Sequence, residues 1–175
     1  MTSRAHRGAT AALVLGLAAC APTLDWREVR PAHSGAALLF PCRPNAQERA
    51  VALAGESVRL ALHACSAGGQ TWGLAFADLA DPARVGAVLA ALRAAAATNL
   101  DAPAGPPQPL PVPGATPNAQ SARVRLNGHS PDGKPVQMQL AVFAHGARVF
   151  QATVVGPRVP EDAAQVFFSS IRFSP

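Results

Sequence analysis

Apolar and polar residues alternate along several stretches of the chain, and glycine, proline and asparagine punctuate the gaps between them. A period of two bounded by turn residues is the signature of half-buried strands. The pattern predicts strands over 26–30, 36–40, 47–53, 57–65, 71–79, 122–127, 135–144 and 147–155. Ala54-Gly55-Glu56 reads as a hairpin turn, Ser66-Ala67-Gly68-Gly69 as the next, and His145-Gly146 as a tight turn late in the chain. In the 57–65 strand Val58, Leu60, Leu62 and Ala64 share one face, with Arg59, Ala61, His63 and Cys65 on the other. Val136, Met138, Leu140 and Val142 face the same way as Val149 and Val155, whereas Phe143, Phe150 and Val154 face away. Apolar groups on both sides imply a sheet covered on both faces.

Two segments switch to a helical period. Asp81-Pro82 supplies a cap and a proline for a first turn, and Val85, Val88, Leu89 and Leu92 then form one stripe ending near Asn99. Pro160 opens a second helix with Glu161 and Asp162 in its first turn, where acids favour the dipole, and with Ala164, Phe167, Phe168 and Ile171 as its buried stripe. Between them, residues 101–118 hold seven prolines and two glycines. Neither helix nor central strand persists through that density of proline, so this is a loop with polyproline character. The expected fold class is α+β, an antiparallel sheet covered by two main helices.

The start of the chain follows a different logic. Residues 1–8 carry Arg4 and Arg7 and no acid, and residues 9–19 are uncharged and mostly apolar. This is an export signal, too short for a membrane span, which needs roughly 18 or more apolar residues. It closes on Leu17-Ala18-Ala19-Cys20, which resembles the lipobox of bacterial lipoproteins. The resemblance implies that the Cys20 sulfur takes a diacylglyceryl group, that the chain is cut before it, and that the new amine is acylated by a fatty acid such as palmitate. Ordinary cleavage after Ala21 is the rival, but Pro22 would follow that cut. Several acyl chains make a stable anchor. Ala21, rather than an aspartate, at the second mature position points to the outer membrane. The expected organisation is a signal peptide at 1–19, an anchored tether with a first strand at 20–33, and a single domain at 34–175.

Charge adds little. The formal +5 falls by two when Arg4 and Arg7 leave, which does not argue for nucleic acid. Cys42 and Cys65 remain beyond the lipid site, and in an oxidising envelope two such cysteines are expected to pair. The rival reading is a reactive thiol or half of a metal site with His63, which shares a strand face with Cys65. Structural zinc normally takes four ligands at recurrent spacing, and the chain has no Cys-x-x-Cys. No metal and no cofactor are expected.

The close of the chain carries a second likeness. A strand ending at Gly156, an acid-started helix and then Phe168-Ser169-Ser170-Ile171-Arg172-Phe173 resemble the end of PsbP-like domains. Leu38-Leu39-Phe40-Pro41, Ala75-Phe76-Ala77-Asp78 and the mid-chain helix follow the same order of elements, so the resemblance covers most of residues 34–174. It implies an α/β/α sandwich and a binding or assembly subunit. It transfers no residue role.

The catalytic patterns Gly-x-Ser-x-Gly, Ser-x-x-Lys and His-Glu-x-x-His do not occur, nor does a Gly-x-x-x-x-Gly-Lys phosphate loop. His33, His129 and His145 fall in the tether or in turns and read as solvated polar residues. Arg123, Arg125 and Arg148 share a predicted strand face with Gln137 and Gln139, a candidate patch for an anion or a partner. The expectation is a non-enzymatic lipoprotein, held to the membrane by its lipid, facing the periplasm and binding an envelope protein. A small-molecule or metal-binding lipoprotein is the alternative, and a hydrolase whose triad assembles from separated residues is the third reading.

Overall fold

A computed structural model describes residues 23–103 and 105–174. Residues 1–19, expected to act as an export signal, and Cys20, the expected lipid site, lie outside the described residues. The strands are β1 (Arg27–Val29), β2 (Ala36–Phe40), β3 (Asn45–Leu53), β4 (Glu56–Ala67), β5 (Gln70–Asp78), β6 (Ala122–His129), β7 (Pro135–His145), β8 (Arg148–Gly156) and β9 (Arg172–Phe173). The helices are α1 (Val85–Asn99) and α2 (Glu161–Ser169). Six strands form an antiparallel sheet in the order β3-β4-β5-β8-β7-β6, and three form a smaller one in the order β1-β2-β9. The fold is α+β and mostly sheet.

The turns explain the hairpins. Ala54 and Gly55 both have positive φ, 47° and 86°, the arrangement whose twist matches the flanking strands. The next turn is tighter than the sequence pattern predicts. Ser66 and Ala67 stay in the ladder opposite Thr71 and Gln70, so only Gly68 and Gly69 turn. The Trp72 indole N–H donates to the Ala67 carbonyl at 3.2 Å, and the Ser66 and Thr71 hydroxyls are 3.2 Å apart, which holds those rungs closed. Asp81 caps Ala83 N–H as expected, but Pro82–Arg84 is a 3-10 turn and α1 starts at Val85.

The two faces of the large sheet carry separate apolar clusters. Val85, Val88, Leu89 and Leu92 of α1 join a cluster with Val124, Leu126, Leu140, Val142 and Val149. Phe167 and Phe168 of α2, with Leu38 and Phe40 of β2, join the other with Trp72, Leu74, Phe143 and Phe150. Each such buried side chain contributes about 1.5–3 kcal/mol. Ile171 is buried as expected but lies beyond α2, which ends at Ser169. The Ser170 hydroxyl accepts from Leu39 N–H at 2.8 Å and donates to the Phe167 carbonyl at 2.7 Å, fastening the helix end to β2. Beyond it, Arg172 and Phe173 pair with Ala37 and Ala36.

The proline-rich loop is tied down. Gln108 and Arg123 exchange backbone hydrogen bonds of 2.8 and 2.9 Å along the outer edge of β6. Thr116 N–H donates to the Ala144 carbonyl at 2.8 Å, and Phe173 N–H to the Pro113 carbonyl at 2.9 Å. Proline has no N–H, so the non-proline residues make the attachments on the donor side. The loop covers a sheet edge that would otherwise stand open.

Cys42 and Cys65 form a disulfide with a Cα–Cα distance of 6.0 Å. It links the end of β2 to β4, joining the small sheet to the large one. The Cys65 sulfur is thereby consumed, which removes the His63 and Cys65 metal pair.

Candidate functional site

Strand register places Arg123 opposite Ala141, Arg125 opposite Gln139, and Arg148 opposite His145. All three arginines, with Gln137 and Gln139, therefore share one face of the large sheet. They do not form one cluster. Gln139 and His145 are six residues apart on β7, roughly 20 Å at the rise of a strand. The structure brings Arg123 and Arg125 together beneath α2 and puts Arg148 at the other end.

Arg123 and Arg125 floor a cavity of about 520 Å³ between α2 and the proline-rich loop, walled by Gln108, Leu110, Glu161 and Gln165. Arg123 is only 8% exposed. Its Nη1 donates to Gln165 Oε1 at 2.8 Å, its Nη2 donates to Gln139 Oε1, and its guanidinium carbon sits 4.4 Å from the centre of the Phe168 ring. Glu161 accepts from Arg125 Nη2 at 2.5 Å and from Gln139 Nε2 at 3.0 Å, and lies 3.6 Å from Arg123 Nη2. Burial lowers the Arg123 guanidinium from its usual range, and the Glu161 charge opposes that shift. Two cations face one carboxylate, and among the described residues Arg123 Nε has no hydrogen-bond partner. The arrangement positions donors and an unbalanced positive charge beside a half-apolar wall, which suits recognition of an acceptor-bearing segment.

Arg148 belongs to a second cluster. Its Nε and Nη2 donate to the two Asp78 carboxylate oxygens at 2.7 and 2.8 Å, and its Nη1 donates to the His33 carbonyl. With Glu48, Arg59 and Phe76 it lines a hollow of about 170 Å³. His63 stacks on Phe76 at 6.1 Å between ring centroids. His145 is exposed, as its place at the turn predicts, and it also stacks on Phe173 at 4.3 Å with its Nδ1 2.9 Å from the Gly114 carbonyl. Among the described residues no group of three or more His, Cys, Asp or Glu is arranged to hold a metal, and no helix is long and apolar enough to cross a membrane.

Burial lowers the His63 imidazole below its ordinary value of 6.5. The unfolded chain then takes up the proton more readily than the folded one, so this contribution to stability is complete above 6.5 and declines as pH falls towards the lowered value. Thermal melts at about pH 7 and about pH 5 should show a smaller acid-induced drop for His63→Gln than for the wild type. Equal drops would remove His63 as a source of acid sensitivity.

Sequence reading missed Glu161, Gln165 and Phe168 as companions of Arg123. Their spacing from β6 offers no local signal, and the acid in the first turn of α2 has a sufficient helical explanation on its own. No protein-family model matches the chain, and no curated protein is significantly similar to it.

Proposed function

We propose that this chain is a lipid-anchored, non-enzymatic binding module of the bacterial envelope, held by Cys20 in the outer membrane and facing the periplasm. The observation that carries the placement is the Cys42–Cys65 disulfide, because such bridges persist on the oxidising side of a membrane. It agrees with the export signal and with the lipobox resemblance at Leu17-Ala18-Ala19-Cys20. The two apolar clusters, one joined by α1 and one by α2, support reading the fold as a PsbP-like α/β/α sandwich. The groove above Arg123 and Arg125 is the surface we assign to an envelope protein partner. Apart from Arg123 Nε, the arginine, glutamine and glutamate groups of the groove bond to one another, which favours recognition over chemistry.

Metabolic labelling with radioactive palmitate should mark the wild type and leave Cys20→Ser unlabelled; an unlabelled wild type would overturn the anchor. Crosslinking in intact cells should then capture a partner that Arg125→Glu loses. Capture unchanged by that substitution would move the partner site elsewhere.

A second reading rests on a separate cavity of about 270 Å³ between α1 and β6, lined by Ala90, Ala94, Ala97, Val124 and Leu126. Its apolar lining suits a small hydrophobic ligand. Native mass spectrometry of the purified protein should retain such a ligand if this reading holds.

A further inference from the structure

We infer that the end of the large sheet carrying the Gly68–Gly69 turn rests against the phospholipid headgroup layer, so that the protein is held to its membrane in one orientation. The inference builds on lipidation of Cys20, and its geometry comes from how soon after Cys20 the chain joins the folded domain.

Thr23 and Leu24 already pack on the domain, since a Cβ at Gly68 would stand 3.7 Å from Thr23 and 3.1 Å from Leu24. Asp25 N–H donates to the Pro41 carbonyl at 2.9 Å, and Trp26 packs edge-on against Trp72 with centroids 5.7 Å apart. Three peptide steps separate Cys20 from Thr23, a reach of at most about 11 Å even when fully extended. A domain of this length has a radius of gyration of about 15 Å. A leash shorter than the body it holds cannot let that body turn its far side to the bilayer.

Register shows what shares this end. A Cβ on Gly156 would meet the Gly69 carbonyl at 2.8 Å, and Gly156 stands opposite Gln137 near the start of β7. The turn before β7 therefore projects from the same end, and it holds Lys134, the one lysine of the chain, paired with Asp132 at 2.7 Å. Exposed Arg43, next to the Cys42–Cys65 bridge, and exposed Arg158, whose carbonyl accepts from Gln70 Nε2 at 3.0 Å, also flank this end, where anionic headgroups would receive them. The opposite end carries the Ala54–Gly55 and His145–Gly146 turns and Leu79, whose N–H donates to the Ala147 carbonyl at 3.1 Å. The length of β7 separates the two ends by roughly 35 Å.

The test uses the full-length Ala80→Lys protein, reconstituted into vesicles of phosphatidylethanolamine and phosphatidylglycerol. Ala80 is exposed at the far end. A bulky, membrane-impermeant amine reagent labels both lysines, and peptide mass spectrometry reads the rate ratio of Lys134 to the introduced lysine. The reference is the same protein with a flexible Gly-Ser spacer of about 20 residues after Ala21, which spans roughly 25 Å and frees the domain. Intact mass establishes the acyl chains on Cys20 in both. A ratio several-fold lower with the natural leash than with the spacer is the expected result. An acylated protein whose ratio is the same in both forms would overturn the orientation and leave the anchor standing. A protein without acyl chains would overturn the anchor and the orientation together.

Discussion

Replacing Cys42 and Cys65 by alanine is expected to lower the free energy of unfolding by about 3.5 kcal/mol, the chain-entropy value for the loop closed by a sequence separation of 23. The bridge does more than shorten the unfolded chain. β1, β2 and β9 form a sheet of their own, and the disulfide is a covalent tie from the end of β2 to β4. Other attachments of the small sheet are non-covalent, among them Leu38 and Phe40 packed into the cluster with Phe167 and the Leu39 N–H bonded to Ser170. Urea titrations of the oxidised wild type and the double alanine variant measure the difference at equal slope. A loss below about 1 kcal/mol would show that packing alone already holds the two sheets in register.

Elements with their own periodicity were legible. The 36–40 strand, the 57–65 strand, the α1 stripe and the Cys42–Cys65 pairing could be read from neighbours in the chain, because alternation, capping and cysteine count are local or compositional signals. What escaped was decided by partners distant in sequence. β9 is a two-residue strand held extended by β2, more than a hundred residues earlier, and by the Pro113 carbonyl in the proline-rich loop. Composition reads the proline-rich segment only as a loop with polyproline character, yet Gln108 and Thr116 fasten it to the sheet edge through backbone groups that composition does not reveal. Strand parity puts Arg123, Arg125 and Arg148 on one face, but parity cannot say where along a face each residue lies. Arg148 sits across from Asp78, seventy residues away, and Arg125 reaches Glu161 on a helix that strand patterning does not place.

Burial gives Arg123 and Arg125 different weights. Arg123→Ala is expected to cost about 3 kcal/mol, because it removes charge-assisted bonds to Gln139 and Gln165 and the contact with the Phe168 ring, and leaves Gln139 short of a donor while only 4% exposed. Arg125→Ala removes a charge from the same groove, but its side chain is 49% exposed and its pair with Glu161 is solvated, so a loss below about 1 kcal/mol is expected. Chemical denaturation of both variants at low and high salt separates the cases: salt should erode the Arg125 effect and leave most of the Arg123 effect, since buried contacts are screened far less. Similar losses for the two would mean that Arg123 contributes only its charge. A large loss for Arg123→Ala alone makes it the pin joining β6, β7 and α2, and leaves Arg125 as the position where partner binding can be altered without unfolding the groove.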